Sequence, residues 1–65
     1  MNNKGILRIS ESLLKEILGI KGDIVAARID HFTGDALELS IINDPRMPEY
    51  REGEVPQVID YEDIK

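Results

Sequence analysis

Ser10-Glu11-Ser12-Leu13-Leu14-Lys15-Glu16-Ile17-Leu18-Gly19 is the stretch on which the fold turns. Leu13, Leu14, Ile17 and Leu18 recur at the spacing of one helical stripe, with Glu11, Ser12, Lys15 and Glu16 opposite. Ser10 is suited to cap the start, because its hydroxyl accepts from a free N–H of the first turn. Glu11 stands where the helix dipole favours negative charge. Gly19 falls where a left-handed residue ends a helix, and Ile20 is placed to fold back onto the last turn. The spacing predicts a helix over residues 11–18.

On the N-terminal side, Gly5-Ile6-Leu7-Arg8-Ile9 is short and rich in branched residues, bounded by Gly5 and Ser10. It reads as a first strand, with Leu7 and Ile9 on one face. On the C-terminal side, Lys21-Gly22-Asp23 is a connector. Residues 24–30 and 36–42 then read as two strands joined by His31-Phe32-Thr33-Gly34-Asp35, with Gly34 as the turn glycine. Simple alternation puts Val25, Ala27 and Ile29 with Leu37, Leu39 and Ile41 on one face, expected to cover the helix stripe. Ile24, Ala26, Arg28 and Asp30 with Glu38, Ser40 and Ile42 make a mixed second face, where Arg28 and Glu38 are placed to pair.

Beyond Asn43 the periodicity stops. Asp44-Pro45, Met47-Pro48 and Val55-Pro56 force extended backbone before each proline, which excludes a helix there. Val55, Val58, Ile59, Tyr61 and Ile64 are too many apolar residues for a disordered acidic tail. Residues 44–65 therefore read as an extended arm, with a short strand around Gln57-Val58-Ile59. The predicted fold class is α+β: a small β-α-β-β domain, one helix on a three-stranded, mainly antiparallel sheet. Residues 1–43 form the core, and residues 44–65 an acidic, proline-containing arm within the same domain or packed on a neighbouring subunit.

Sixty-five residues make one domain at most, with a marginal core. Without cysteine, neither disulfides nor thiolate metal sites are open to it, and His31 is the single histidine. Assembly with other copies is the remaining remedy, so a homo-oligomer is expected. No run approaches the roughly 18 apolar residues that span a membrane, and no secretion signal is evident. A cytoplasmic location with no membrane partner is expected. Of the net charge of −5, residues 1–43 carry −1 and residues 44–65 carry −4. Direct nucleic-acid binding is not expected, since no basic cluster faces phosphates.

No catalytic constellation emerges. Ser10 and Ser12 are accounted for by helix capping; Thr33, Ser40 and His31 form no nucleophile–base–orienter set. Asp30, His31 and Asp35 share one loop, but their spacing fits no standard zinc or calcium loop, and turn formation explains the aspartates. Asp60, Glu62 and Asp63 read as a solvated terminus. Gly19-Ile20-Lys21-Gly22 has the spacing of neither a phosphate loop nor a dinucleotide fingerprint. No cofactor and no metal are expected, and the chain reads as a non-enzyme. Arg8, Arg28, Arg46 and Arg51 are the candidate ligand-binding residues, because guanidinium forks take phosphate bidentately and a ring of subunits would converge them. Surface or ion-pair roles compete with that reading. Val55, Val58, Ile59 and Tyr61 are the candidate partner-binding residues, on an arm suited to adding a strand to a neighbour's sheet.

The run from Ser10 to Ile20, the Leu37-Glu38-Leu39 strand and the tail Glu52-Gly53-Glu54-Val55-Pro56 together resemble a group of small bacteriophage and prophage proteins, largely uncharacterised. Those proteins have a leucine-rich helix, a β-hairpin and a Pro-Glu-Gly-Glu-like tail. The resemblance spans most of residues 9–57; here Ile20-Lys21-Gly22 stands in place of a proline-containing connector. It implies no active site. It implies a phage-type binding module in the host cytoplasm, antagonising host defence by binding a host protein or by sequestering a nucleotide signal, a small anionic ligand. A small structural or regulatory accessory in phage development is the alternative. Mimicry of nucleic acid by the acidic tail is a weaker third, its charge density being low.

Overall fold

The computed structural model describes residues 2–32 and 34–64. Thr33, one of the hydroxyls weighed above, lies outside the described residues. The chain is α+β: helix α1 (Glu11–Leu18), strands β1 (Asp23–Asp30) and β2 (Ala36–Ile42) in one antiparallel sheet, and a turn of 3-10 helix at Tyr61–Asp63. No third strand is present among the described residues. Gly5–Ile9, expected as one, carries no regular structure, and Ile6 and Leu7 are 98% and 96% exposed. Gln57-Val58-Ile59 likewise forms no strand. The physical reason is the same in both places: neither segment pairs with the hairpin, and an unpaired strand does not persist in water.

The helix forms where its signals lie. The Ser10 hydroxyl accepts from the Leu13 N–H at 3.1 Å, and Ser10 itself is extended, φ −74° and ψ 153°. Gly19 ends the helix in the left-handed region, φ 72°, and the Gly19 and Ile20 N–H groups both return to the Lys15 carbonyl. Ile20 is the one hydrophobic residue buried among those described, at 8% exposure. The fold-back expected of it is therefore real, and it is the centre of such core as there is.

Two expectations are corrected in the hairpin. The first concerns its faces. Ile24 pairs with Ile41 but Ala26 pairs with Ser40, so Val25 is an extra residue, a β-bulge. The bulge shifts the alternation by one. Ile24, half-buried, takes the place on the Ala27–Ile29 face that simple alternation assigns to Val25, which is 59% exposed. The second concerns the helix. The hairpin does not cover its stripe: α1 meets β1 alone, and no helix residue is buried. Its attachments explain why. Glu11 accepts from the Ile24 N–H at 3.3 Å and Lys15 pairs with Asp23 at 3.6 Å, both at the first residues of β1. The helix is thus tethered to one end of the hairpin and does not lie across its face.

The Arg28–Glu38 pair forms in register across the strands, at 2.7 Å and 2.8 Å. In the connecting loop, Asp30 accepts from the Phe32 N–H at 3.0 Å and His31 bonds Asp35 at 2.7 Å. Gly34 and Asp35 have positive φ, 94° and 57°, as a tight hairpin turn demands.

The result is an open structure. The chain exposes 6191 Å², whereas a folded monomer of its mass exposes about 4,200 Å². Its radius of gyration is 14.0 Å, against roughly 11 Å for a compact domain of this length.

Candidate functional site

The end of α1 organises what tertiary structure there is. A helix leaves its last carbonyls without partners. Here the tail supplies them. The Tyr61 hydroxyl donates to the Leu18 carbonyl at 3.1 Å, and Arg46 Nη2 donates to the Gly19 carbonyl at 2.8 Å. A guanidinium is well placed there, because the C-terminal end of a helix carries partial negative charge.

Asp44 holds that arginine in position. The residue is 5% exposed, its side chain not at all, and the carboxylate accepts from four donors: the Arg46 N–H at 2.9 Å, Arg46 Nε at 3.1 Å, Arg46 Nη2 at 2.9 Å and the Lys21 N–H at 3.0 Å. Arg46 Nη1 reaches on to the Ile64 carbonyl at 3.3 Å. Local sequence explains the arrangement. Asp44-Pro45-Arg46-Met47 is a turn closed by the Met47 N–H on the Asp44 carbonyl at 3.0 Å, with aspartate first and proline second as such turns favour. The Arg46 side-chain bonds, followed by its backbone bond, hold the Asp44 carboxyl well below the usual carboxylate range, outweighing the opposite effect of burial. The same bonds raise the Arg46 guanidinium further. Gly22 completes the clasp by absence: a Cβ there would overlap the Ile42 carbonyl oxygen and lie 2.7 Å from the Asp44 nitrogen.

Pinned near both ends, the tail stands over the hairpin and leaves a groove of about 1650 Å³ between them. Leu37, Leu39 and Ile41 line it from the sheet, and Met47, Val58 and Tyr61 from the tail. Small-molecule sites are typically about 300–1,000 Å³ and enclosed. This space is larger and open to solvent.

The residues expected to bind ligand are dispersed. Arg46 has every nitrogen of its fork engaged within the chain. Arg28 is exposed but paired with Glu38. Arg8 lies in the irregular N-terminal segment and Arg51 opens the turn closed by the Glu54 N–H on the Arg51 carbonyl. Of the expected partner residues, Val55 and Val58 are largely exposed, Ile59 is half-buried and Tyr61 is committed to the helix end. Val55, Val58, Ile59 and Tyr61 all line the groove. Among the described residues, no group of His, Asp and Glu is arranged to hold a metal, and no helix is long and apolar enough to cross a membrane.

Asp44 and Gly22 are the residues that sequence reading missed. The Asp-Pro-Arg turn was the available signal for the first. Nothing local signals the second, since the atoms that exclude a side chain come from the far end of β2. Compared with known proteins, the chain matches no family model, no curated protein and no solved structure.

Proposed function

We propose that this chain is a non-enzymatic binding module of phage type that works as an oligomer, its groove filled by polypeptide. One observation carries the reading. Exposed surface exceeds that of a compact monomer of the same mass by roughly 2,000 Å². A standard protein interface buries about 800 Å² on each partner, so the excess is enough for more than one such contact. Ile6, Leu7, Phe32 and Val55 contribute apolar surface to it. In this reading the third strand of the sheet and the acidic arm reach their final form in the assembly.

A polypeptide partner is favoured over a small anionic ligand. Arg46 and Arg28, two of the four arginines that such a ligand needs, already serve carboxylates of their own chain. Antagonism of host defence through a host protein therefore fits better than sequestration of a nucleotide signal. The accessory role in phage development differs only in the identity of the partner, and is separated by what co-purifies from infected cells. Native mass spectrometry on gently purified protein tests the core of the proposal. A symmetric oligomer without added mass is expected. A monomer across the micromolar range would overturn the reading, and an oligomer carrying a bound nucleotide would replace it with sequestration.

A further inference from the structure

We infer that residues Gly5–Ile9 of one copy add antiparallel to the outer edge of β2 of a second copy and supply the missing third strand. The inference rests on the assembly reading and deepens it by naming both surfaces.

The segment has strand chemistry without a strand partner. Ile6 and Leu7 are almost wholly exposed, and residues 2–10 carry no helix or strand. The sheet has only two strands, so each has an unpaired edge among the described residues. β2 is the better acceptor. It is regular through Ala36–Ile42, whereas the bulge at Val25 interrupts β1 and bends its edge. The length fits: five residues span about 17 Å, within the roughly 24 Å of a seven-residue strand.

Side chains select the register. Antiparallel pairing with Arg8 opposite Glu38 places Ile9 opposite Leu37, Leu7 opposite Leu39 and Ile6 opposite Ser40. Leu7 and Ile9 then extend the apolar face that Leu37 and Leu39 begin. Arg8 joins the other face, where Glu38 already holds Arg28, so opposite charges meet across the new ladder. A parallel alignment with Leu7 opposite Leu39 sets Ile6 against the Glu38 carboxylate and loses that pairing, and one with Arg8 opposite Glu38 differs from the antiparallel register in placing Ile9 opposite Leu39 and not Leu37.

Geometry requires a second copy. Glu11 is bonded to the Ile24 N–H, and Ile24 pairs with Ile41. Ser10 of the same chain is therefore held near the Ile41 end of the hairpin. In the proposed register Ser10 stands beside Ala36, five residues and about 17 Å away along β2. One chain with its helix in place does not reach both positions.

The chain has no cysteine, so cross-linking is clean. Ile9→Cys and Leu37→Cys are prepared as separate full-length variants, mixed and oxidised. Both positions are about half exposed, so neither change empties a core. A disulfide needs Cβ atoms about 3.5–4.5 Å apart, and directly opposed strand residues bring theirs to about 4.5–5.5 Å, which a small local adjustment closes. The expected result is a disulfide-linked heterodimer, together with loss of the native oligomer when residues 2–9 are deleted and Ser10 is kept as the helix cap. A heterodimer absent from the mixture while wild-type protein is oligomeric would overturn the strand exchange and leave the assembly reading intact. Ready closure of a doubly substituted Ile9→Cys, Leu37→Cys chain on itself, giving a monomer on denaturing, non-reducing electrophoresis, would show pairing within one copy and also overturn it. A monomeric wild type would overturn both.

Discussion

Gly22→Ala is the smallest change that probes the clasp at the helix end. A Cβ at residue 22 would overlap the Ile42 carbonyl oxygen and lie 2.7 Å from the Asp44 nitrogen and 2.9 Å from the Asn43 carbonyl carbon, where real contacts essentially never fall below 3.0 Å. All three atoms are backbone, so no rotamer change relieves the overlap. Opening the gap moves Asp44, whose carboxylate accepts the Lys21 N–H next door. Inserting one carbon into packed structure costs about 1–3 kcal/mol, and a site walled by main chain belongs at the upper end. In a domain of this size each kcal/mol lowers the melting temperature by roughly 4–8 °C. Gly22→Ala should therefore melt at least about 12 °C below wild type by far-ultraviolet circular dichroism at matched protein concentration. Gly5→Ala is the control, because a Cβ there meets nothing within 4 Å. A Gly22→Ala protein that melts within a few degrees of Gly5→Ala would refute the claim that this close approach holds the tail to the hairpin.

Two further outcomes are expected. The Asp44 carboxyl is depressed in the folded state, so its contribution is complete above its unfolded value, 3.8, and is lost as pH falls below that toward the folded value. Melting temperature followed from neutrality to pH about 2 should drop for wild type, whereas Asp44→Asn should start lower and show a flatter acid limb; parallel limbs would remove Asp44 as their source. Ser10→Ala deletes the acceptor for the Leu13 N–H and should cost about 1 kcal/mol, read as a melting temperature lower by roughly 4–8 °C, with Ser10→Asp close to wild type; an Ala variant as stable as wild type would mean the cap is not made.

The parts of the fold that the sequence makes legible are those fixed by neighbours along the chain. Ser10 and Gly19 bound α1 because a cap and a left-handed stop act within one turn. The hairpin limits follow from alternation interrupted by Gly34. What alternation does not reveal is Val25: a bulge depends on how two strands align, and Ile24-Val25-Ala26-Ala27 taken alone is an unbroken apolar run. The strand over 5–9 was read from its composition, but composition makes a segment able to pair without supplying the edge. Arg46 reads from sequence as a candidate ligand-binding residue because two of its acceptors, the Gly19 and Ile64 carbonyls, lie 27 and 18 residues away, and only Asp44 is local. Main-chain acceptors at such distances leave no trace in residue type. Tyr61 was grouped with the exposed arm for the same reason.

The bulge at Val25 also sets how the hairpin tolerates changes of length. Ile24 already faces Ile41 and Ala26 already faces Ser40, so removing residue 25 joins two stretches that share one pleat, and every remaining cross-strand pair survives. Loss of Ala26 or Ala27 gives one and the same chain, in which Val25 takes the place opposite Ser40, whereas loss of Arg28 or Ile29 also slides the alanines by one and turns their side chains to the opposite face. The bulge is thus a spacer in the strand's reading frame: a codon-length deletion from Val25 to Ala27 is milder than one at Arg28 or Ile29.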